Sequence, residues 1–150
     1  MNKYLTTIFF TIIPLLCLAQ QNTISKYLDS QSSEIDNDNT LLTNVISDSI
    51  GSLKDSTIKV YAYRIKQKGG LISKIEETVQ GNCKLGIDYY FTKNNVFKII
   101  VRSSCSETRN WNSIFYFENG KSIYQIDYGT PLYAPAFKQL ADSLVKRFQQ

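Results

Sequence analysis

Hydrophobic and polar positions alternate along most of the chain from residue 58 onward, and that period of two predicts strands. Ile58 to Ile65 places Tyr61, Tyr63 and Ile65 on one face, with Ile58, Val60 and Ala62 on the other. Lys68-Gly69-Gly70 supplies a turn, and Leu71 to Val79 returns as a strand. The runs Leu85 to Phe91 and Val96 to Val101 are rich in aromatic and β-branched residues and form a second hairpin. Between them lies Thr92-Lys93-Asn94-Asn95. A three-residue loop, Lys93-Asn94-Asn95, would put Asn95 in the left-handed region that Asn tolerates.

The clearest hairpin joins Ile114 to Glu118 with Lys121 to Ile126 through Asn119-Gly120. Its simplest register opposes Glu118 with Lys121, Tyr116 with Ile123 and Phe115 with Tyr124. Phe115, Phe117, Tyr124 and Ile126 would then share the core face.

The period changes at both ends. Phe137, Leu140, Ala141, Leu144, Val145 and Phe148 make one helical stripe, with Pro135 at a first-turn position and Lys146 and Arg147 suited to a helix C-terminus. Near the start, a short helix is expected around Ile24, Tyr27 and Leu28, and the polar run from Asp29 to Asn39 reads as a loop. Thr40 then looks like an N-cap for a helix over about 40 to 54, on the stripe Leu41, Leu42, Val45, Ile46, Ser49, Ile50 and Leu53. The fold class is α+β: an antiparallel meander of about six strands, an amphipathic C-terminal helix packed on it, and an N-terminal helix.

The first residues are of a different kind. Lys3 precedes an uncharged apolar run that ends at Ala19, the three-part layout of a secretion signal. Cleavage after Ala19 would start the mature chain at Gln20. An uncleaved anchor is the weaker alternative, because the run is short for a bilayer span and holds Pro14. Acylation of Cys17 is disfavoured by Leu16 before it. The organisation is therefore a signal over 1–19, a helical or linker arm over 20–56 and a sheet-plus-helix domain over 57–150. The expected address is periplasmic or secreted, with no stable transmembrane segment after cleavage.

An exported chain meets an oxidising compartment, which gives Cys83 and Cys105 meaning as a pair. The second hairpin's register sets them directly opposite each other. A structural disulfide is the expectation; the spacing is not that of a redox-active C-x-x-C motif.

Charge and motifs narrow function mainly by exclusion. Without the signal, sixteen Lys and Arg face thirteen Asp and Glu, mixed along the chain, with no basic stripe of the kind nucleic acid requires. The chain has no histidine, the commonest general base and transition-metal ligand. It lacks a phosphate loop, a dinucleotide fingerprint and a nucleophile elbow, so no cofactor is implied. Asp36-Asn37-Asp38-Asn39-Thr40 starts like a calcium loop, but no Gly follows at the required place and Ser47 stands where Glu belongs. Asp88 and Asp127 are the one carboxylate pair worth testing for hydrolase chemistry, since both are embedded among aromatics.

The aromatic surplus remains. Tyr and Trp are enriched at binding surfaces because they combine large area with a polar handle. Tyr89, Tyr90, Arg109, Trp111 and Tyr116 are the candidate binding residues, with Tyr89 and Tyr90 on opposite faces. Hairpins of this aromatic, Asn-Gly type, carried by Tyr89-Tyr90-Phe91 and Phe115 to Gly120, loosely resemble those of many small exported bacterial proteins, a likeness that implies no function. The reading is a non-catalytic module that binds a protein, peptide or apolar ligand through an aromatic sheet face. A structural or accessory envelope protein, using 20–56 as a tether, is the alternative.

Overall fold

The structure is a computed structural model that describes residues 23–51, 58–80, 83–105, 111–129 and 132–149. A helix, α1 (residues 23–37), precedes seven strands: β1 (Leu42–Gly51), β2 (Ile58–Lys68), β3 (Leu71–Gln80), β4 (Cys83–Thr92), β5 (Asn95–Cys105), β6 (Trp111–Glu118) and β7 (Lys121–Tyr128). Helix α2 (Ala134–Phe148) follows. The strands form one open antiparallel sheet in chain order, so the α+β meander holds, with one strand more than the pattern predicts.

That extra strand is β1, where a helix over 40–54 was expected. Its ten residues pair with β2 without a break in register. Leu42, Val45 and Ile46 remain exposed, so the apolar stripe that suggested a helix has no core to enter. Backbone pairing to β2 decides the segment instead. Thr40 caps no helix: its amide and hydroxyl both donate to Asp38 Oδ1, turning the chain into β1. Helix α1 packs on the sheet and β1 is its first strand.

The three hairpins whose turns lie among the described residues share one device. Each has a two-residue turn with both residues at positive φ: Gly69-Gly70, Lys93-Asn94 and Asn119-Gly120. In each, two residue pairs follow the turn and then the returning strand carries one extra residue: Ser73, Phe97 and Ile123. Such bulges shift the register by one and set consecutive side chains on the same face. The loop after β4 is therefore Lys93-Asn94, with Asn95 paired to Thr92 inside the strands. The bulge at Phe97 compensates, and Cys83 still opposes Cys105. In the last hairpin Glu118 pairs with Lys121 as expected, but Tyr116 pairs with Tyr124 and Phe115 with Gln125.

The sheet is consequently covered on two sides. On the first face Tyr63, Ile65, Ile75, Ile87, Tyr89, Phe91, Ile99, Val101, Phe115 and Phe117 pack against Ala134, Ala141, Leu144 and Val145. Phe137 stacks on Phe115 at 5.4 Å and Phe148 tilts onto Tyr63 at 5.2 Å. On the second face α1 covers Tyr90, Phe97 and Tyr116 through Leu28, with Ile24, Ile35, Ile123, Tyr124 and Ile126 around them. Phe115 and Phe117 thus face α2, while Tyr124 and Ile126 belong to the other side, a correction that follows from the bulge at Ile123.

Candidate functional site

Register builds a row across the second face: Lys66, Lys74, Tyr90, Lys98, Tyr116 and Tyr124, each opposite the next from β2 to β7. Lys74 Nζ stands 4.8 Å from the Tyr90 ring centroid and Lys98 Nζ 5.5 Å from it. A desolvated ammonium over an aromatic face is attractive. Both lysines are nearly buried, so their charges need partners.

Helix α1 supplies them. Asp29, Ser32 and Asp36 lie at positions i, i+3 and i+7, one face of a helix. Asp29 pairs with Lys98 at 2.8 Å and accepts the Tyr116 hydroxyl at 2.9 Å. Lys98 also donates to Ser32 Oγ, and Asp36 takes Lys74 at 2.7 Å and the Tyr90 hydroxyl at 2.9 Å. Burial alone would push Lys74 down; hydrogen bonds to Asp36 and Glu76 outweigh it and hold the ammonium above its ordinary range. These contacts explain why the polar run after Leu28 is helix rather than loop: its Asp and Ser side chains are spent on the sheet. They also place Asp36 and Asp38 in roles other than calcium binding.

The first face carries its own buried polar group. Glu77, under the C-terminal end of α2, accepts Tyr89 Oη at 2.8 Å and a hydrogen bond from Tyr63. Burial raises its carboxyl pKa, against the pull of those two donors. The same burial, with the Glu77 charge beside it, pushes Tyr63 up to about 12 and Tyr89 further.

The candidate binding residues do not form one open patch. Tyr89 is buried under α2, while Tyr90 and Tyr116 are buried under α1. Arg109 lies outside the described residues, as does the Trp111 side chain, although the Trp111 backbone pairs with Ser103. The sulfurs of Cys83 and Cys105 also lie outside them. Asp88 and Asp127 sit on opposite faces of strands three apart, β4 and β7, about 14 Å from each other by strand spacing alone. That exceeds the roughly 6.5–9.5 Å of an inverting glycosidase. Asp88 is held by Arg102 at 2.7 Å, and Asp127 accepts Ser113 Oγ at 2.6 Å.

The open site is elsewhere, at the turn end of the sheet. A cleft of about 560 Å³ runs between the C-terminal end of α1 and the β2–β3 and β4–β5 turns. Ile35, Leu41, Leu71, Ile72 and Phe91 line it together with the polar Gln31, Ser73 and Thr92. Charged side chains of both signs stand around it, and Lys68 is beside Asp38, donating to the Thr40 hydroxyl at 3.1 Å. Glu34 comes from α1 and Lys93 from the β4–β5 turn. The turn is tied to the lining by Asn94 Oδ1, which accepts the Ile72 amide at 3.2 Å. Lys93 holds φ 49°, a left-handed conformation usually left to Gly, Asn or Asp. Sequence reasoning missed this site because the tertiary fold assembles it from three separated segments; a Lys at the first position of a two-residue hairpin turn was the available signal.

Among the described residues no group of three or more His, Cys, Asp or Glu side chains is placed to hold a metal ion, and no helix is long and apolar enough to cross a membrane. No family model, curated protein or solved structure matches the chain.

Proposed function

We propose that this chain is an exported, non-catalytic binding module, and that its ligand is a short peptide with an apolar side chain seated in the cleft at the turn end of the sheet. Lys93 carries this reading. A left-handed backbone costs a side-chain-bearing residue about 1–2 kcal/mol, and strained positions of this kind gather at functional sites. Lys93 lines a cleft of about 560 Å³, within the usual 300–1,000 Å³ of ligand pockets. Glu34 on α1 and Lys93 on the turn suit a peptide's own polarity, with its amino end toward Glu34 and its carboxylate toward Lys93. Leu71, Ile72 and Phe91 in the lining take the side chain between them.

The test is titration of the mature chain with leucine- and phenylalanine-containing tripeptides, free and with both ends blocked, followed by amide NMR. Shifts clustered at Leu71, Ile72, Phe91, Thr92 and Lys93, weakened by blocking the ends, support the reading. Shifts confined to other parts of the sheet, or no shifts with any peptide, refute it.

A further inference from the structure

We infer that β1 is an interface strand, and that a second copy of this chain adds its own β1 to the edge left unpaired among the described residues, antiparallel about a two-fold axis at Ile46. This surface is separate from the cleft. β1 is the first strand of an open sheet. An edge strand presents a row of unpaired amides and carbonyls, which proteins usually blunt with Lys, Pro or a bulge. β1 has none of these: its sequence is LTNVISDSIG and all ten residues pair with β2 in unbroken register. The opposite edge, β7, begins with Lys121 and carries the bulge at Ile123.

Apolar side chains also stand open along β1. Leu42 and Val45 are 67% exposed and Ile46 37%. Register places Leu42 and Ile46 on the α2 side and Val45 on the other, so an added strand would gain apolar contact on both faces.

The sequence of β1 selects its own copy. A two-fold at Ile46 opposes Ile46 to itself, Leu42 to Ile50 and Asn44 to Asp48. The only charge in the strand then meets an amide, and the two Asp48 residues are separated by about 13 Å along the strands. A two-fold at Asp48 would oppose like charges, which destabilises a strand pair. Isologous pairing of this kind also closes on itself as a dimer, without open-ended growth.

Sedimentation of the mature chain over a wide concentration range should show a monomer–dimer equilibrium. Val45→Lys should abolish it, while at dilutions where both chains are monomeric the unfolding midpoint stays unchanged, because the side chain is exposed. Under mild oxidation, Ile46→Cys should yield a dimer cross-linked between the two substituted positions, seen by peptide mapping. Val45→Cys should not, because its symmetry mate is offset by two residues, about 7–8 Å away and beyond disulfide reach. A chain that stays monomeric throughout, a dimer indifferent to Val45→Lys, or cross-linking at Val45→Cys in preference to Ile46→Cys would overturn the inference. Should Val45→Lys misfold, the cross-linking pair decides alone.

Discussion

Lys98 of β5 and Asp29 of α1 form an ion pair at 2.8 Å across the interface between helix and sheet. The lysine side chain is 8% exposed and the aspartate 48%, so the pair is buried from one side only. Asp29→Ala leaves a nearly buried ammonium with one neutral oxygen partner, Ser32 Oγ, and also strips Tyr116 of its acceptor. The expected cost is about 1–3 kcal/mol, the penalty of an unsatisfied buried group. Asp29→Ala combined with Lys98→Met should recover most of it, because an apolar replacement needs no counter-charge. Urea unfolding midpoints check both, and hydrogen exchange should rise first in residues 23–37.

Glu77 should make stability fall as pH rises. Its folded pKa is raised above the ordinary 4.5 by burial. The folded state therefore keeps its proton where the unfolded state has lost it, and stability is fully present below about pH 4.5 and declines as pH passes through the raised folded value. Glu77→Gln removes this dependence while still offering an oxygen to Tyr63 and Tyr89. Unfolding midpoints measured from pH 4 upward should show a flatter profile for the variant; parallel profiles would mean that Glu77 does not titrate differently in the two states.

Cys83 and Cys105 are paired in the β4–β5 register, and in an oxidising compartment they should be joined. Intact-mass analysis of the mature chain should lack two hydrogens, and its tryptic map should link the two peptides. Cys83→Ser with Cys105→Ser should cost about 3 kcal/mol on the chain-entropy estimate for a loop of this size.

Lys93 offers a trade between stability and binding. Lys93→Asn or Lys93→Gly relieves the left-handed strain and should raise the unfolding midpoint, by about 1 kcal/mol in free energy. The same variants should weaken tripeptide binding, chiefly for peptides with a free carboxylate. Stabilisation without loss of binding would show Lys93 to be a turn residue alone.

At Gly86 no atom lies within 4 Å of where a Cβ would stand. Gly in a strand interior weakens it, so Gly86→Thr should stabilise the domain by about 0.5–1 kcal/mol, read from thermal or urea unfolding.

Local pattern was enough for much of this molecule. The period of two placed β2 to β7, Asn119-Gly120 and Gly69-Gly70 marked their turns, and the stripe from Phe137 to Phe148 with Pro135 marked α2. These are short-range signals, carried by residues a few positions apart. The opposition of Cys83 and Cys105 was also legible, although through a loop one residue longer than the real one; the bulge at Phe97 restored the same register.

Tertiary structure decided the rest. A bulge adds one residue without a distinctive residue type, so nothing local told Tyr116 to pair with Tyr124 instead of Ile123. The run from Asp29 to Asn37 is poor in intrinsic helix formers and becomes helix because Lys74, Tyr90, Lys98 and Tyr116 await its carboxylates across the sheet. Leu42 to Gly51 has a helical stripe and becomes a strand because β2 offers ten backbone partners. Tyr89, Tyr90 and Tyr116 are strand residues buried under the two helices, since whether a tyrosine faces water depends on which helix covers it. The sequence by itself determined which residues could form strands, turns and the last helix, because propensity and periodicity are local. Only the folded sheet decided which faces were closed and where a cleft remained open, because burial is a property of distant segments brought together.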